Sequence, residues 1–223
     1  MAAQYFGEIA LNASQYRWCE LIFIFFVLPI VAYQFRDHLN NWLFPALIIL
    51  MAVCTHLLLT DPHFKRFRLT SLGEFSSVKK RLFTTFFAGA MFSAMLYGLV
   101  SQGNWFALPL DSPADWLLLL IAYPVLSVLP QELIFRSYFF HRYKRILPNK
   151  NNRVMLSALV FALAHCVYDN WIAVALSFLG GLLFSYTYAH SRSLAVCVLE
   201  HSLWGLWMFT IGIGQYLDSG VKF

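Results

Sequence analysis

The stretch from Trp116 to Phe140 reads WLLLLIAYPVLSVLPQELIFRSYFF, and it decides the fold class. It is long enough to cross a bilayer, because a membrane-spanning helix needs about 20 mostly apolar residues. Its second half nevertheless carries Glu132 and Arg136, which are four residues apart and can pair on one helix face. Ionisable groups inside a span are costly and usually mark a functional site. The stretch therefore predicts a membrane helix that carries a polar site.

The overall composition points to the same class. Of the 223 residues, 60% belong to the AVILMFWYC set and 12% are charged, whereas soluble domains carry about 25% charged residues. This excludes a water-soluble globule, a disordered chain, a coiled coil and a disulfide scaffold. The net charge of +5 does not indicate a nucleic-acid partner, because the basic residues flank apolar runs. We predict an all-α polytopic helix bundle, with residues 1–223 forming a single membrane domain in contact with the lipid bilayer.

Seven transmembrane helices are predicted, with eight as the alternative count, and no cleavable signal peptide is evident in residues 1–15. Four of the spans begin near a tryptophan, which is typical of residues at the membrane interface. The fifth span is short. The predicted spans are Trp18–Phe35, Trp42–Leu59, Leu82–Val100, Trp116–Phe140, Val154–Tyr168, Trp171–Tyr188 and Leu194–Gly214.

The distribution of lysine and arginine predicts the orientation. Thirteen of the 16 basic residues lie in the N-terminal tail and in the connectors after the second, fourth and sixth spans, including Arg81. The other side holds only Arg36 and Lys222. Because cytoplasmic loops are enriched in lysine and arginine, the N-terminus is predicted to be cytoplasmic. With seven spans the C-terminus is then outside.

Three ionisable residues on three different spans are predicted to meet. Counted from the cytoplasmic ends of their helices, Glu132, His165 and His201 lie within a band about 6 Å wide, at a rise of about 1.5 Å per residue. Glu200 precedes His201 directly and therefore points to a different face. We favour His201 for the site, because histidine binds or donates protons near neutral pH. The expectation is that Glu132, His165 and His201 converge on one internal cavity.

One glutamate and two histidines suffice for two chemistries. In the first, Glu132 takes a proton from water, His165 positions the water and His201 stabilises the developing oxyanion. In the second, the same three side chains ligate zinc and leave a fourth position open. The HExxH zinc motif and the GxSxG nucleophile elbow are both absent from the sequence. The preferred expectation is a site without an obligatory cofactor, with zinc as the alternative.

Three short motifs, in order on separate spans, resemble the CAAX protease and bacteriocin-processing family of intramembrane proteases. Gln131-Glu132-x-x-x-Arg136 is similar to the family's Glu-Glu-x-x-x-Arg motif, and Phe161-x-x-x-His165 matches its Phe-x-x-x-His motif. His201 matches a third, in which a polar residue usually follows four positions later. The resemblance covers about residues 118–207, the motif-bearing core. It implies hydrolysis of a peptide bond in or near the membrane, and it adds Phe161 to the supporting residues.

This sequence departs from the family's pattern at two positions. Gln131 stands where the family's usual base is a glutamate, and an amide cannot accept a proton at neutral pH. Either Glu132 has become the base, or an engineered change has removed the glutamate at 131, or the protein is a non-catalytic relative. Gly205 stands at the usual polar position, where Trp204 or a backbone N–H is the expected replacement donor. Arg136 is expected to stay positively charged, to hold Glu132 or a neighbouring helix end in place, and to take no part in proton transfer.

The sequence thus predicts a glutamate-dependent intramembrane endopeptidase. Its partners are expected to be the bilayer and a lipidated or membrane-anchored peptide or protein substrate. A prokaryotic inner (plasma) membrane is the expected location. The alternatives are a non-catalytic membrane protein of the same fold, such as an immunity or partner-binding factor, and a proton-coupled transporter with Glu132, His165 and His201 as its relay. The transporter is less favoured, because no inverted repeat is found.

Overall fold

The computed structural model describes residues 13–39, 42–100 and 105–216 of the chain. Over these ranges the backbone is helical, with no strand. Most of residues 1–15, where no cleavable signal peptide is predicted, lie outside the described residues, and so does Lys222. The seven principal helices are α1 (Ala13–Gln34), α2 (Leu43–Thr60), α3 (Phe75–Val100), α4 (Pro113–Arg142), α5 (Lys150–Ala164), α6 (Trp171–Ser191) and α7 (Leu194–Ile211).

The prediction of a polytopic helix bundle is confirmed. In the described ranges six helices are long and apolar enough to cross a membrane, namely all the principal helices except α5. Helix α5 has only 15 residues, but a 3₁₀ turn, His165–Tyr168, continues it to the end predicted for the fifth span. The outer faces carry exposed apolar side chains such as Met91 and Leu99, as contact with lipid requires. Four short helices lie in connectors or at the end of α7: Arg36–Leu39, Arg66–Leu69, Ala107–Asp111 and Ile213–Tyr216.

Helix α4 lies at the centre of the bundle and is not a regular α-helix. Residues 130–140 are all buried. Two π-helical segments, Tyr123–Val128 and Leu133–Tyr138, interrupt the α-helical hydrogen bonding. Pro124 and Pro130 lack the N–H that a continuous helix needs, which is one reason for the irregular turns. Such π segments inside α-helices occur frequently at functional sites.

Helices α5 and α6 approach each other closely enough to fix the end of α5. A Cβ added at Gly181 on α6 would lie 3.0 Å from the Cα of Ala158 on α5. Only glycine allows this distance without displacing the neighbouring backbone. Asparagine side chains cap the N-termini of both helices, Asn149 for α5 and Asn170 for α6. The position of His165, directly after α5, is therefore determined by close helix packing.

A hydrogen-bonded cluster around Glu20 joins α1 to the cytoplasmic end of α4. The Glu20 carboxylate accepts hydrogen bonds from Arg142 Nε at 2.9 Å and Nη2 at 2.6 Å. It also accepts from the hydroxyls of Tyr138 at 2.7 Å and Tyr143 at 3.0 Å. Charge-assisted hydrogen bonds of this kind are among the stronger polar contacts. Glu20 therefore has a structural role, because it ties α1 to the cytoplasmic end of α4.

The connector between α2 and α3 is shorter than predicted and partly packed against the bundle. Helix α3 begins at Phe75, so Arg81, predicted to lie in the connector, is within the helix. Phe64 is buried and contacts the His141 ring edge-on. Burial raises the pKa of Asp61, but hydrogen bonds from His141 and His63 outweigh it and lower the value to about 2. Asp61 therefore stays anionic where it anchors the connector.

Candidate active site

A buried carboxylate, Glu132, links two of the predicted site residues. Glu132 and Arg136 are fully buried, and Arg136 Nε lies 3.2 Å from Glu132 Oε2. The expected pair within α4 is therefore present. Glu132 Oε1 lies 2.9 Å from Nδ1 of His201 on α7. Because a carboxylate only accepts hydrogen bonds, we assign the proton to Nδ1, which leaves the Nε2 lone pair of the neutral ring free to accept.

Two aromatic rings, those of Phe161 and Phe184, pack against the Arg136 side of the Glu132–Arg136 ion pair. The guanidinium carbon of Arg136 lies 4.5 Å from the ring centroid of Phe161 and 5.6 Å from that of Phe184. Such cation–π contacts gain strength where water is excluded. Phe184 also stacks on His201, with centroids 4.4 Å apart and an interplanar angle of 17°. Phe161, predicted only as a supporting residue, thus holds Arg136, while Phe184 fixes the plane of the His201 ring.

His165 is fixed by the residue one helical turn before it. Its Nδ1 lies 2.8 Å from the carbonyl oxygen of Phe161, and the two rings are 4.5 Å apart. A carbonyl oxygen only accepts, so Nδ1 donates and Nε2 is the acceptor. This contact gives the Phe161-x-x-x-His165 spacing a physical reason, because residues four apart lie on one face.

A cavity of about 560 Å³ lies next to these residues, lined by α3, α4, α6 and α7 and by the end of α5. Most of its wall is apolar. A smaller cavity of about 120 Å³ lies between α2, α4 and the end of α5. The two cavities share four wall residues, Ser127, Gln131, His165 and Tyr168.

The predicted convergence on one cavity holds for two of the three residues. His165 and His201 both line the large cavity, but Glu132 does not. The wall residue of the motif is instead Gln131, whose Nε2 donates to Ser127 Oγ at 2.9 Å. Its Oε1 is buried and has no hydrogen-bond partner among the residues that the structure describes. The carboxylate of Glu132 therefore reaches the cavity only through the imidazole of His201.

Glu200, which the sequence places on a different face from His201, belongs to another cluster. It is fully buried and accepts a hydrogen bond from Arg81 Nη2 at 3.0 Å, and it also contacts the Thr187 hydroxyl. The contact joins α3, α6 and α7. Arg81, predicted to be a connector residue, is thus the counter-ion of a buried glutamate.

Tyr123 is a site residue that sequence reasoning missed. Its hydroxyl lies 3.4 Å from His201 Nε2, and its side chain lines the large cavity. A Cβ added at Gly205 would lie 2.2 Å from that hydroxyl oxygen. The tyrosine therefore occupies the space that a side chain at position 205 would fill. The sequence feature that could have identified it is a tyrosine, with its polar hydroxyl, within the apolar first half of α4.

Trp204, the expected replacement donor, lies elsewhere on the cavity wall. Its ring packs edge-on against Phe86 of α3, with centroids 5.4 Å apart. Its Nε1 has no hydrogen-bond partner in the part of the chain that the structure describes. Trp204 Nε1 makes no hydrogen bond to His201, so the donor beside His201 Nε2 in the described part of the chain is the Tyr123 hydroxyl.

The residues do not fit the alternative zinc site. Across the described ranges, no three His, Cys, Asp or Glu side chains are grouped as a metal ion requires. Glu132 Oε1 accepts from Nδ1 of His201, so in this arrangement the carboxylate orients the histidine and does not share a metal ion with it as the predicted three-ligand set requires. We therefore derive no step through a metal.

Comparison with known proteins agrees with the motif resemblance. Residues 113–207 match the family described as type II CAAX prenyl endopeptidase Rce1-like. The match runs from the start of α4 into α7 and includes every predicted site residue. It confirms the resemblance over this part of the chain, which is less than half of the 223 residues. No curated protein and no solved structure matches the chain. With six helices long and apolar enough to cross a bilayer in the described ranges, the protein is an integral membrane protein.

Proposed function

We propose that this protein is an intramembrane endopeptidase that hydrolyses a peptide bond of a small lipidated or membrane-anchored substrate. The observation that carries the proposal is the bridge made by His201. Its Nδ1 contacts the buried Glu132 carboxylate, and its ring lines a cavity of about 560 Å³. A carboxylate that orients one imidazole nitrogen leaves the other to act as a general base.

The geometry supports a different division of roles from the one the sequence predicts. His201 Nε2 removes a proton from water, and the water oxygen attacks the carbonyl carbon of the substrate. Glu132 holds the Nδ1–H tautomer and stabilises the imidazolium that forms, as the carboxylate does in a catalytic triad. His201 then returns the proton to the leaving amine as the C–N bond breaks. Glu132 thus acts through His201, because its own carboxylate is absent from the cavity wall.

His165 and Gln131 are proposed to hold the attacking water. Both line the large cavity, and both present an acceptor, the Nε2 of His165 and the Oε1 of Gln131. A water molecule has two hydrogens to donate. One points to His201 Nε2, so the other is donated to His165 Nε2 or Gln131 Oε1, and the oxygen lone pair is then directed at the substrate carbonyl. Fixing a reactant in this way contributes to catalysis by lowering the entropy cost of attack. In this role Gln131 needs no charge, and the proposed chemistry needs no metal.

The apolar wall of the large cavity supports a substrate that carries a hydrophobic anchor. Side chains such as Phe92, Leu96, Leu179 and Met208 lie on this wall, at the same cavity as His201. Burying the apolar surface of an isoprenyl chain or an apolar peptide helix in this cavity would stabilise the complex by about 25 cal/mol per Å². The family description names a prenyl endopeptidase, which makes a prenylated C-terminal peptide the first substrate to test.

One observation favours a second candidate function, a non-catalytic membrane protein of the same fold. The residue of the motif that lines the cavity is an amide, Gln131, and not a carboxylate. If a carboxylate at this position is required to activate water, the protein as it stands binds a membrane partner without cleaving it.

A single assay with one added variant separates the two candidates. The purified protein is reconstituted in liposomes with a farnesylated peptide and, separately, with a single-span helical peptide, and fragments are measured by mass spectrometry. The endopeptidase proposal expects cleavage by the native chain, unaffected by EDTA. The non-catalytic alternative expects none from the native chain and a gain in Gln131→Glu. Cleavage abolished by EDTA and restored by zinc would overturn the metal-free mechanism.

The proposed location is a prokaryotic inner membrane with the N-terminus in the cytoplasm, supported by the asymmetry of lysine and arginine. In a variant without native cysteines, a cysteine at Lys144 should be protected from an impermeant maleimide in intact cells. A cysteine at Asp37, in the connector between α1 and α2, should be labelled. The opposite pattern would reverse the orientation.

A further inference from the structure

The hydroxyl of Tyr123 projects into the same part of the cavity as the reactive nitrogen of His201. The two atoms are 3.4 Å apart, which is a long and weak contact for a hydrogen bond. The Tyr123 ring is held independently of this contact, edge-on against Phe209 at 5.3 Å and against the surface of Gly205. The hydroxyl is therefore fixed in position by packing, while its hydrogen bond is easily exchanged for a better one.

We propose that Tyr123 is a catalytic residue that donates a hydrogen bond to the oxyanion formed on the substrate carbonyl. This inference rests on the proposed peptidase function, and it adds the hydrogen-bond donor for the oxyanion that the proposed mechanism lacks. As water attacks, the carbonyl π pair moves onto oxygen, and the proton from water goes to His201 Nε2. The Tyr123 O–H turns from Nε2 to the new oxyanion. When the tetrahedral intermediate collapses, the carbonyl reforms and the amine leaves with the proton from His201.

Three other donors at the site are already engaged. Nδ1 of His201 donates to Glu132 and Nδ1 of His165 to the Phe161 carbonyl, while the Gln131 amide donates to Ser127. A prearranged donor at the position where charge develops is worth more than a mobile one, because no reorganisation is needed during reaction. Among these cavity-wall groups, Tyr123 has its donor both beside His201 Nε2 and free of a strong acceptor.

The fit between Tyr123 and Gly205 gives a second way to disturb the donor. The Cβ of an alanine at 205 would lie 2.2 Å from the Tyr123 hydroxyl oxygen and 2.4 Å from a ring carbon. The backbone of α7 cannot move easily, so the tyrosine must turn away. Gly205→Ala therefore displaces the hydroxyl without removing it, whereas Tyr123→Phe removes it without displacing the ring.

The test compares Tyr123→Phe with Tyr97→Phe, a matched control whose hydroxyl lies on α3 away from the cavity wall. With a farnesylated peptide, Tyr123→Phe should lower kcat by about 10²–10³-fold, the usual effect of losing one oxyanion donor, and leave KM within about threefold. Tyr97→Phe should change neither. Gly205→Ala should reproduce the loss in kcat. A kcat for Tyr123→Phe within threefold of the native value would overturn the inference.

A binding measurement separates failure of this inference from failure of the proposed function. The probe is the same farnesylated peptide with a phosphinate in place of the scissile amide, which mimics the tetrahedral anion. The native protein should bind the phosphinate about 100-fold more tightly than an uncleavable N-methyl amide, and Tyr123→Phe should lose most of this preference. A preference retained in Tyr123→Phe overturns the role of Tyr123 alone. No preference in the native protein overturns the peptidase proposal and this inference together.

Discussion

Replacing His201 by alanine is expected to lower the rate of peptide cleavage by at least about 10³-fold, and replacing Glu132 by glutamine should cost a similar factor. In the proposed mechanism His201 is the base, and Glu132 sets its tautomer through the 2.9 Å contact to Nδ1. An amide in place of the carboxylate can present its N–H to Nδ1 and place the imidazole proton on the wrong nitrogen. The same change in a catalytic triad costs about 10⁴ in kcat.

The decisive measurement for this prediction is the double variant Glu132→Gln/His201→Ala. Residues that act as one unit show strongly non-additive losses, so the double variant should be no slower than His201→Ala alone. Glu200→Gln is the matched control, because Glu200 is an equally buried glutamate on α7 that pairs with Arg81 instead. Losses that multiply in the double variant, or an equal loss in Glu200→Gln, would contradict a Glu132–His201 unit.

The sequence predicted the membrane helices and the polar residues within them, because both depend on local features. Hydropathy runs define membrane helices, and the cost of burying charge makes an intramembrane glutamate or histidine conspicuous. Counting residues along each helix was enough to place Glu132 and His201 at one depth, and the two side chains are in contact. The same helix geometry showed that Glu200 and His201 face different sides, and the choice of His201 followed from the chemistry of histidine near neutral pH.

The sequence did not predict which residue of the Gln131–Glu132 pair lines the cavity. Helical periodicity assumes 3.6 residues per turn, but two π segments lie within α4, one before and one after the Gln131–Glu132 pair. Each π segment accommodates an extra residue in its turn and rotates the subsequent residues around the helix axis. The position of the motif around the helix axis, relative to the apolar first half of α4, therefore changes. As a result Gln131 lies on the cavity wall and Glu132 points into the protein interior.

The pairing of Tyr123 with Gly205 was also beyond the sequence, for a different reason. The lack of a side chain at a glycine can be interpreted only when the residue that fills the space from the neighbouring helix is known. Here α4 supplies the hydroxyl that α7 lacks, although the two residues are 82 positions apart. Arg81 is a similar case, because its place in a basic stretch indicated the membrane surface, whereas packing against α7 gives it a buried partner.

Arg136→Ala is expected to destabilise the fold by about 3–5 kcal/mol, the typical cost of removing one partner of a buried ion pair. Glu132 and Arg136 are both fully buried, so the variant leaves a carboxylate with no countercharge on α4. It also removes the cation from between Phe161 and Phe184. Arg136→Lys should recover only part of the stability, because a compact ammonium cannot stack as a planar guanidinium does.

Replacing both members of the Glu132–Arg136 ion pair by uncharged residues distinguishes a structural role of Arg136 from a role in proton transfer. Replacing a buried ion pair by uncharged residues of similar volume is often neutral for stability, so Glu132→Gln/Arg136→Met should unfold close to the native midpoint in a detergent titration. It should still lack cleavage activity, because the carboxylate that orients His201 is gone. Arg136→Ala with native stability would show that the pair does not hold the site. Restored activity in the neutral double variant would show that His201 works without Glu132, and the mechanism would then require another orienting group.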